Sequence, residues 1–424
     1  MFGRWHQLSI HNQLLGLMKK KFIIIASILV SAAAGAQNAA DDLSAEGFEN
    51  VRVKKEGNSV AVAFNDPAYR GTFRGPAEAI KLIESSYPEC ERVDMLIEEY
   101  GTPRVAVRAV KVGERWTVDA DYETKALAEA LMGTDTQKAS GRGHSTYGKL
   151  DITFNPIVSL DNHRFDKLFE AGFYIAPTIE TSLWKGNRIN VEPIIPVYTN
   201  LDAGNRNRRF QLGSANVQQD FISGGRWYGT ATVGAFRPCR AGANVDLGYR
   251  VMPGLAVGLR ANWTVDSYFG KDKWYVGSVD LKGRRSEVSA LLKVDYFHLP
   301  SAIQAQLTAG RFVYGDCGAR LDLTRHLGDY AIGIYGVLTG GEHNAGFHFA
   351  IPVRGKRNRQ SGSVRINLPE YYDLQYAMVS YFEYADQKMG TELEVRPVEN
   401  RSLQYWNADY IRRNVQRILD GVME

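Results

Sequence analysis

The residues able to do acid–base or nucleophilic chemistry are scattered along this chain and match no known catalytic pattern. One histidine lies in the pair His144-Ser145, and four others lie within or between candidate strands, namely His298, His326, His343 and His348. No serine-centred elbow, HExxH helix or close cysteine–histidine set accompanies them. The glycine pairs 224–225 and 340–341 lack the Lys and Ser/Thr of a phosphate loop. The sequence therefore predicts no catalytic residue, cofactor or metal site.

Charged residues, by contrast, recur with the spacing of one face of a β-strand. They are Arg188, Glu192, Asp246, Arg250, Arg260, Asp266, Glu287, Lys293, Asp295, Arg320 and Asp322, called here the candidate lumen residues. Charges of both signs on an enclosed face can line a wet channel that handles hydroxyl-rich sugars through hydrogen bonds and ionic contacts. They can equally pair across that space and seal it, and the sequence leaves both interpretations open.

The strands that carry these charges are long and alternate regularly. In residues 255–266 the odd positions are apolar, whereas the even positions include Gly258, Arg260 and Asp266. Similar runs of about ten residues follow Tyr147, and this is the length with which a tilted strand crosses a bilayer. Residues 147–406 are therefore predicted to form a transmembrane antiparallel β-barrel of roughly 12–16 strands. A soluble β-sandwich would also alternate and is the structural alternative.

Turn lengths predict the sides of this barrel, since periplasmic turns are short and extracellular loops long. The predicted periplasmic turns are residues 252–254, 283–284 and 299–301. The predicted outer loops are residues 201–209 and 267–273, and 275–282 is a candidate strand. The longest predicted loop, residues 354–373, begins with a basic run that is interpreted as a solvated loop or a contact for anionic polymer or lipid phosphate.

The beginning of the chain has the features of an export signal. Residues 19–21 are three lysines, residues 22–30 are apolar, and Ala34-Gly35-Ala36 is a small-residue cleavage site. The apolar run is shorter than the roughly 20 residues of a membrane helix, which argues against an anchor. We therefore assign residues 1–36 as a signal region, with translation starting at Met18. Export favours the outer membrane of a Gram-negative bacterium.

Composition excludes several classes of protein. The formal net charge of +4 is too small to indicate a nucleic-acid partner. A hydrophobic share of 44% with a mean hydropathy of −0.28 fits a barrel, because half of each strand faces water. The three cysteines, at positions 90, 239 and 317, are too few and too scattered for a disulfide framework or a metal site.

Two segments outside the barrel are predicted to be separate units. After a polar tether at residues 37–42, residues 43–132 read as a small periplasmic α+β domain with a hairpin, a helix and a second hairpin. A polar, glycine-rich linker follows at 133–147. At the other end, residues 407–424 have apolar residues at helical spacing behind Asn407, which predicts a C-terminal amphipathic helix used for packing.

Residues 307–353 resemble the YjbH family of outer-membrane proteins tied to exopolysaccharide and capsule production. The resemblance rests on Gly310-Arg311-Phe312, Gly315-Asp316, Gly318-Ala319 and the run 346–352, with Cys317 where the family usually has tryptophan. The segment that begins at Gly47-Phe48-Glu49 is similar to the family's small domain. The resemblance implies a polysaccharide-related role at the outer membrane and no catalytic residues.

The prediction that follows is a non-enzymatic outer-membrane β-barrel with a periplasmic domain, which assists exopolysaccharide or capsule secretion or surface assembly. Its expected partners are polysaccharide, outer-membrane lipid and periplasmic export proteins, with no nucleic acid and no cofactor. Two alternatives remain: a general structural or porin-like barrel, and an envelope enzyme that modifies glycan or lipid.

Overall fold

The computed structural model describes residues 38–133, 136–139, 144–161, 170–201, 209–269, 274–277, 286–353, 362–378, 389–395 and 406–422. The predicted signal region, residues 1–36, lies outside the described residues. Within the described part, the chain is mainly β and forms two sheets, a small one near the N-terminus and a large one after it. The mainly β class predicted from the alternation is therefore confirmed.

The small sheet has six strands and carries helices. The strands are β1 (Glu49–Glu56), β2 (Ser59–Asn65), β3 (Arg92–Glu99), β4 (Thr102–Val112), β5 (Arg115–Asp121) and β6 (Gln137–Lys138), and the helices are α1 (Asn38–Glu46), α2 (Arg74–Ser86) and α3 (Lys125–Ala130). The strand order is β5-β4-β3-β2-β1-β6. Its β2–β3 pair is parallel, because α2 returns the chain to the same end of the sheet.

The predicted hairpin, helix and second hairpin of this domain are confirmed. The first hairpin turns at Gly57, whose positive φ of 57° is accessible to glycine without steric cost. The polar tether predicted at residues 37–42 is wrong, because helix α1 begins at Asn38. Its small apolar face, Ala39, Ala40 and Leu43, is fully buried in the domain core, and this burial stabilises a helix in an otherwise polar segment.

The C-terminal helix belongs to the same core as the N-terminal domain. Helix α4 (Ala408–Leu419) begins behind Asn407, whose side chain accepts a hydrogen bond from the Tyr410 amide at 3.0 Å. Tyr410, Ile411 and Val415 are buried among the domain's apolar residues. The predicted helix is therefore confirmed, and its role is to pack against β5 and α2.

The large sheet follows the linker. Its strands are β7 (Leu150–Asp161), β8 (Glu170–Thr181), β9 (Asn187–Thr199), β10 (Gln211–Ile222), β11 (Trp227–Phe236), β12 (Arg240–Met252), β13 (Leu255–Phe269), β14 (Trp274–Val276), β15 (Ser286–His298), β16 (Ile303–Arg311), β17 (Cys317–Leu327), β18 (Tyr330–Thr339), β19 (Glu342–Pro352), β20 (Val364–Asn367) and β21 (Tyr371–Met378). They form a 15-stranded sheet. Neighbours from β7 to β13 and from β15 to β19 pair as consecutive antiparallel hairpins, whereas β20 pairs with β7 in parallel.

Burial in the large sheet is inverted relative to a soluble protein. Strand β18 alternates strictly, with Ile332, Ile334 and Leu338 exposed and Tyr335 and Thr339 buried. The same holds across the sheet, where asparagine, threonine and charged residues fill the buried face and valine, leucine and isoleucine fill the exposed one. A β-sandwich buries its apolar faces between two sheets, so this arrangement is the reverse of the sandwich alternative.

One sequence assignment in this region is wrong, and another lies mostly outside the described residues. Of the candidate strand at residues 275–282, the first two residues belong to the short β14, which pairs with the end of β13, and residues 278–282 lie outside the described residues. The long loop predicted at residues 354–373 contains β20, and β21 begins inside it at Tyr371. The loop assignment is wrong because a short strand such as β20 is defined by its pairing partner more than by its own composition.

The N-terminal domain and α4 dock on one end of the large sheet, against its short turns. Asn407 Nδ2 donates to the Pro253 carbonyl at 2.7 Å, and Arg413 Nη1 donates to the Leu299 carbonyl at 2.6 Å. The turns at 252–254 and 299–301, predicted to share one side, therefore lie at the same end. Residues 283–284, predicted as a third turn of that side, lie outside the described residues.

Candidate functional site

A cavity of about 860 Å³ lies between the polar face of the large sheet and the docked domain. Strands from β10 to β21, except β14 and β20, each contribute a lining residue. One sheet can surround a cavity in this way only if it curves strongly. The domain contributes Glu99, Arg104 and Tyr122, and the start of the α4 segment contributes Trp406 and Asn407. The cavity is therefore walled by the sheet and bounded by the domain at the turn end.

The structure brings most of the candidate lumen residues to this cavity. Those that line it are Asp246, Arg250, Arg260, Lys293, Asp295, Arg320 and Asp322. The other four lie elsewhere on the polar face. Arg188 contacts the domain through Glu99 at 2.9 Å, Glu192 pairs with Arg237, Glu287 pairs with Arg311 at 2.8 Å, and Asp266 pairs with Arg240 at 2.7 Å.

Ion pairs in the cavity wall join neighbouring positions. Arg260 Nε donates to Asp246 Oδ1 at 2.6 Å from the adjacent strand. Arg320 binds Asp322, two residues away on β17, through two nitrogens at 2.7 and 2.8 Å. The Asp295 carboxylate accepts a hydrogen bond from Gln304. The two arginine–aspartate pairs neutralise their charges locally along the wall, and the cavity remains open between them.

One segment of the chain, residues 389–395, lies against the polar face and forms part of the cavity wall. Lys293 Nζ contacts Glu392 Oε2 at 2.6 Å, and Arg260 Nη1 donates to the Leu393 carbonyl at 3.0 Å. The Asn216 amide donates to the Val395 carbonyl at 3.1 Å. Leu393 is fully buried with Phe236, Val313 and Tyr314 in a small apolar cluster. Side chains from several strands thus hold this segment, here called the inner segment, inside the curve of the sheet.

Tyrosines on the polar face lie over glycines of neighbouring strands. Tyr228 of β11 is directly opposite Gly248 of β12, which in turn is opposite Gly258 of β13. A Cβ added to Gly248 would overlap the Tyr228 ring. The absence of side chains at these glycines therefore lets the ring lie flat across the sheet.

The Tyr228 ring is one of two aromatic rings that contact the Arg250 guanidinium. The centre of the Arg250 guanidinium lies 4.8 Å from the Tyr228 ring centroid and 4.3 Å from that of Tyr122. Such distances are typical of cation–π contacts. The Tyr122 hydroxyl also accepts from the Ala408 amide at 3.0 Å and donates to the Trp406 carbonyl at 3.2 Å. Tyr122 thus connects the domain, the start of α4 and the sheet wall, and its burial raises its pKa above the ordinary value.

Ion pairs join the N-terminal domain to the large sheet at the turn end of the cavity. Arg104 of β4 contacts Asp220 of β10 and Glu99 of its own domain, each at 2.8 Å. Arg188 of β9 stacks on the Tyr100 ring at 4.2 Å and binds Glu99. Burial raises the pKa of Tyr100, so its hydroxyl stays protonated over the usual pH range. The contacts hold charged side chains of both units in one network.

Among the described residues, no histidine or cysteine lines the cavity. His326 Nε2 lies 2.9 Å from Gln304 Oε1, and His348 Nε2 lies 3.2 Å from Thr324 Oγ1. Cys90, Cys239 and Cys317 are free. In the part of the chain that the structure describes, no group of three or more His, Cys, Asp or Glu side chains is arranged to hold a metal ion.

Sequence reasoning missed the aromatic and inner-segment contributions to the site. Tyr122, Tyr228, Tyr335 and Trp406 line the cavity, and the inner segment 389–395 supplies one part of its wall. For Tyr228 a signal was present, because glycines at two positions that face it across the sheet leave room for a ring. The inner segment carried no periodic signal, since it forms neither a helix nor a full strand.

A family model described as "Exopolysaccharide biosynthesis protein YbjH" matches residues 20–350. The chain belongs to the YjbH family. The match covers the N-terminal domain and the large sheet as far as β19, so it includes most of the strands that line the cavity. No curated protein matches the chain. Membership of the YjbH family associates this protein with exopolysaccharide biosynthesis.

The YjbH-family match does not extend over the whole cavity. The inner segment and helix α4 follow residue 350, outside the matched range. Among the described helices, none is long and apolar enough to cross a membrane.

Proposed function

We propose that this protein is a non-enzymatic β-barrel of the outer membrane that assists secretion or surface assembly of an exopolysaccharide or capsule. The observation that carries the proposal is the inverted burial of the large sheet. Exposed valine, leucine and isoleucine on strands of about ten residues suit a hydrocarbon environment, whereas in water they would be an unusually large apolar surface.

Closure of the sheet is supported by the position of its last strands. Strand β21 pairs with β19 and also contacts β7, and β20 pairs with β7 in parallel. The beginning and end of the sheet are therefore neighbours, which is the arrangement that removes free edges in a barrel. The domain at the short-turn end corresponds to the periplasmic side in this proposal.

The cavity suits passage or handling of a sugar chain. It combines ion pairs, amides and hydroxyl groups with aromatic rings, and such a surface can exchange hydrogen bonds with hydroxyl-rich ligands. The domain would receive the polymer or dock a periplasmic export partner, and the polar face of the sheet would guide the chain. The inner segment, held by Arg260 and Lys293, would restrict the passage.

The first test measures surface and secreted polysaccharide in a deletion strain complemented with wild type or with Arg260→Ala/Lys293→Ala. We expect loss of polymer on deletion and an altered amount in the double variant, because each substitution removes one contact that holds the inner segment. The matched control is Lys81→Ala/Arg115→Ala, which removes two cations from the outside of the N-terminal domain.

Membrane fractionation and heat-dependent gel mobility would verify that each variant is inserted as a folded barrel. Normal polymer in the deletion strain would refute the proposed function. Leakage of unrelated small solutes through the wild-type protein would favour a porin-like barrel, and loss of a modification on the polymer would favour an envelope enzyme.

A further inference from the structure

The cavity wall contains one cation whose charge is not balanced by a neighbouring carboxylate. Most basic residues that line it have an acidic partner: Arg104 binds Asp220, Arg237 binds Glu192, Arg260 binds Asp246, Lys293 binds Glu392 and Arg320 binds Asp322. Arg250 differs from these. Among the described residues, no carboxylate oxygen lies within ion-pair distance of its guanidinium, although it lines the same cavity.

The guanidinium of Arg250 is nevertheless held in a defined position. It contacts the rings of both Tyr122 and Tyr228, and its Nη1 donates to the Gly225 carbonyl at 3.2 Å. That contact uses one of the five N–H donors of an arginine. Within the described part of the chain, the other donors of Arg250 have no hydrogen-bond acceptor, so they are available to a ligand in the cavity.

Two acidic groups of the same cavity wall are already engaged by other side chains. Asp246 is bound by Arg260, and Asp295 accepts from the Gln304 amide. Neither contacts Arg250. A partly buried, preorganised and uncompensated guanidinium favours binding of an anion, and its planar fork matches a carboxylate in particular.

We propose that Arg250 forms an anion subsite for acidic sugar residues, so that the polymer handled by this protein carries carboxylate groups of the uronic-acid type. The inference rests on the proposed function and specifies its substrate class. One carboxylate would accept two N–H donors from Arg250, while Tyr122 and Tyr228 keep the guanidinium in the plane required. Trp406, on the same wall, offers an aromatic surface to the apolar C–H face of a sugar ring.

The test uses the purified full chain in detergent micelles, titrated calorimetrically with a short oligogalacturonate and with a neutral malto-oligosaccharide of equal length. We expect the wild type to prefer the acidic chain. Arg250→Gln should lower affinity for oligogalacturonate about ten- to a hundredfold, the range for one charge-assisted interaction, and leave the neutral chain unaffected. Arg250→Lys, which keeps the charge and loses the fork, should be intermediate.

The matched control is Arg115→Gln, which removes one positive charge from an exposed position of β5 and should bind like the wild type. Equal wild-type affinity for acidic and neutral chains would overturn the proposal, as would an equal loss in the Arg250→Gln and Arg115→Gln variants. Displacement of oligogalacturonate by acetate at the same carboxylate concentration would overturn the sugar specificity. These results are independent of the deletion phenotype, so the subsite can fail while the export role stands.

Discussion

Removal of Arg365 should destabilise the junction between the N-terminal domain and the large sheet. Arg365 of β20 binds Asp151 of β7 through two nitrogens and also binds Glu49 of β1. All three side chains are buried. Glu49 keeps three further partners, Lys149, Thr146 and Asn65. By contrast, every hydrogen bond from a described residue to the Asp151 carboxylate comes from Arg365.

The expected loss in the free energy of unfolding therefore comes mainly from the buried Asp151 carboxylate, which is left without its partner. Loss of one member of a buried pair costs about 3–5 kcal/mol, so Arg365→Met should lower the free energy of unfolding by an amount in this range. In urea titrations followed by tryptophan fluorescence, that cost corresponds to a midpoint lower by about 1 M or more. Asp151→Asn added to Arg365→Met should recover much of the loss, because the buried charge is then removed.

The matched control is Lys81→Met, which breaks an exposed pair with Glu78 on helix α2. Exposed pairs contribute less than about 1 kcal/mol, so this variant should unfold close to the wild type. A loss below about 1 kcal/mol for Arg365→Met, or no recovery with Asp151→Asn, would refute the view that Arg365 is required to compensate a buried carboxylate at this junction.

Two further predictions concern the cavity and the domain core. Gly248→Ala should displace the Tyr228 ring and lower affinity for an acidic oligosaccharide several-fold, measured by calorimetry, because the ring supports Arg250. Burial raises the pKa of Asp66 to about 7, so the folded domain prefers the protonated acid. The stabilisation that protonated Asp66 provides is complete below the pKa of this group in the unfolded chain, about 4. It is lost as pH rises through the pKa in the folded domain, about 7. Asp66→Asn should therefore flatten the fall in urea midpoint between pH 5 and 8.

Each of these predictions has an internal control. Gly336→Ala adds the same methyl group to the large sheet at a position where no described atom lies within 4 Å, and it should bind normally. Equal binding by Gly248→Ala and wild type would contradict the role of the tyrosine. For the second prediction, Glu114→Gln alters an exposed acid and should keep the wild-type pH dependence. An equal change in urea midpoint from pH 5 to 8 for Asp66→Asn and wild type would contradict the shifted Asp66 pKa.

Much of the secondary structure could be predicted because it depends on local periodicity. The hairpins of the domain, helix α4 and most strands of the large sheet follow the apolar spacing of the sequence. Helix α1 was missed because its apolar face is short, two alanines and Leu43, and stabilises the helix only when it is buried in the domain core. Strand β20 was missed because it consists of four residues whose partner, β7, lies far away along the chain.

The candidate site was predictable only in part. Alternation placed charged residues on one face of the sheet, and the structure gathers most of them around one cavity. The alternation could not show that Tyr122 of the domain and Tyr228 of β11 would both contact Arg250. That meeting depends on how the domain docks, since the two tyrosines come from different units.

The sequence by itself determined the strand periodicity, the two faces of each strand and the resemblance to the family. These properties are local, because a period of two distinguishes the faces of a strand whatever surrounds it. Only the tertiary structure decided which face is buried, which charges are paired and which cation remains without a carboxylate. Such choices depend on strand register and domain docking, and contacts such as Arg365 with Glu49 join residues more than 300 positions apart. No local pattern encodes that proximity.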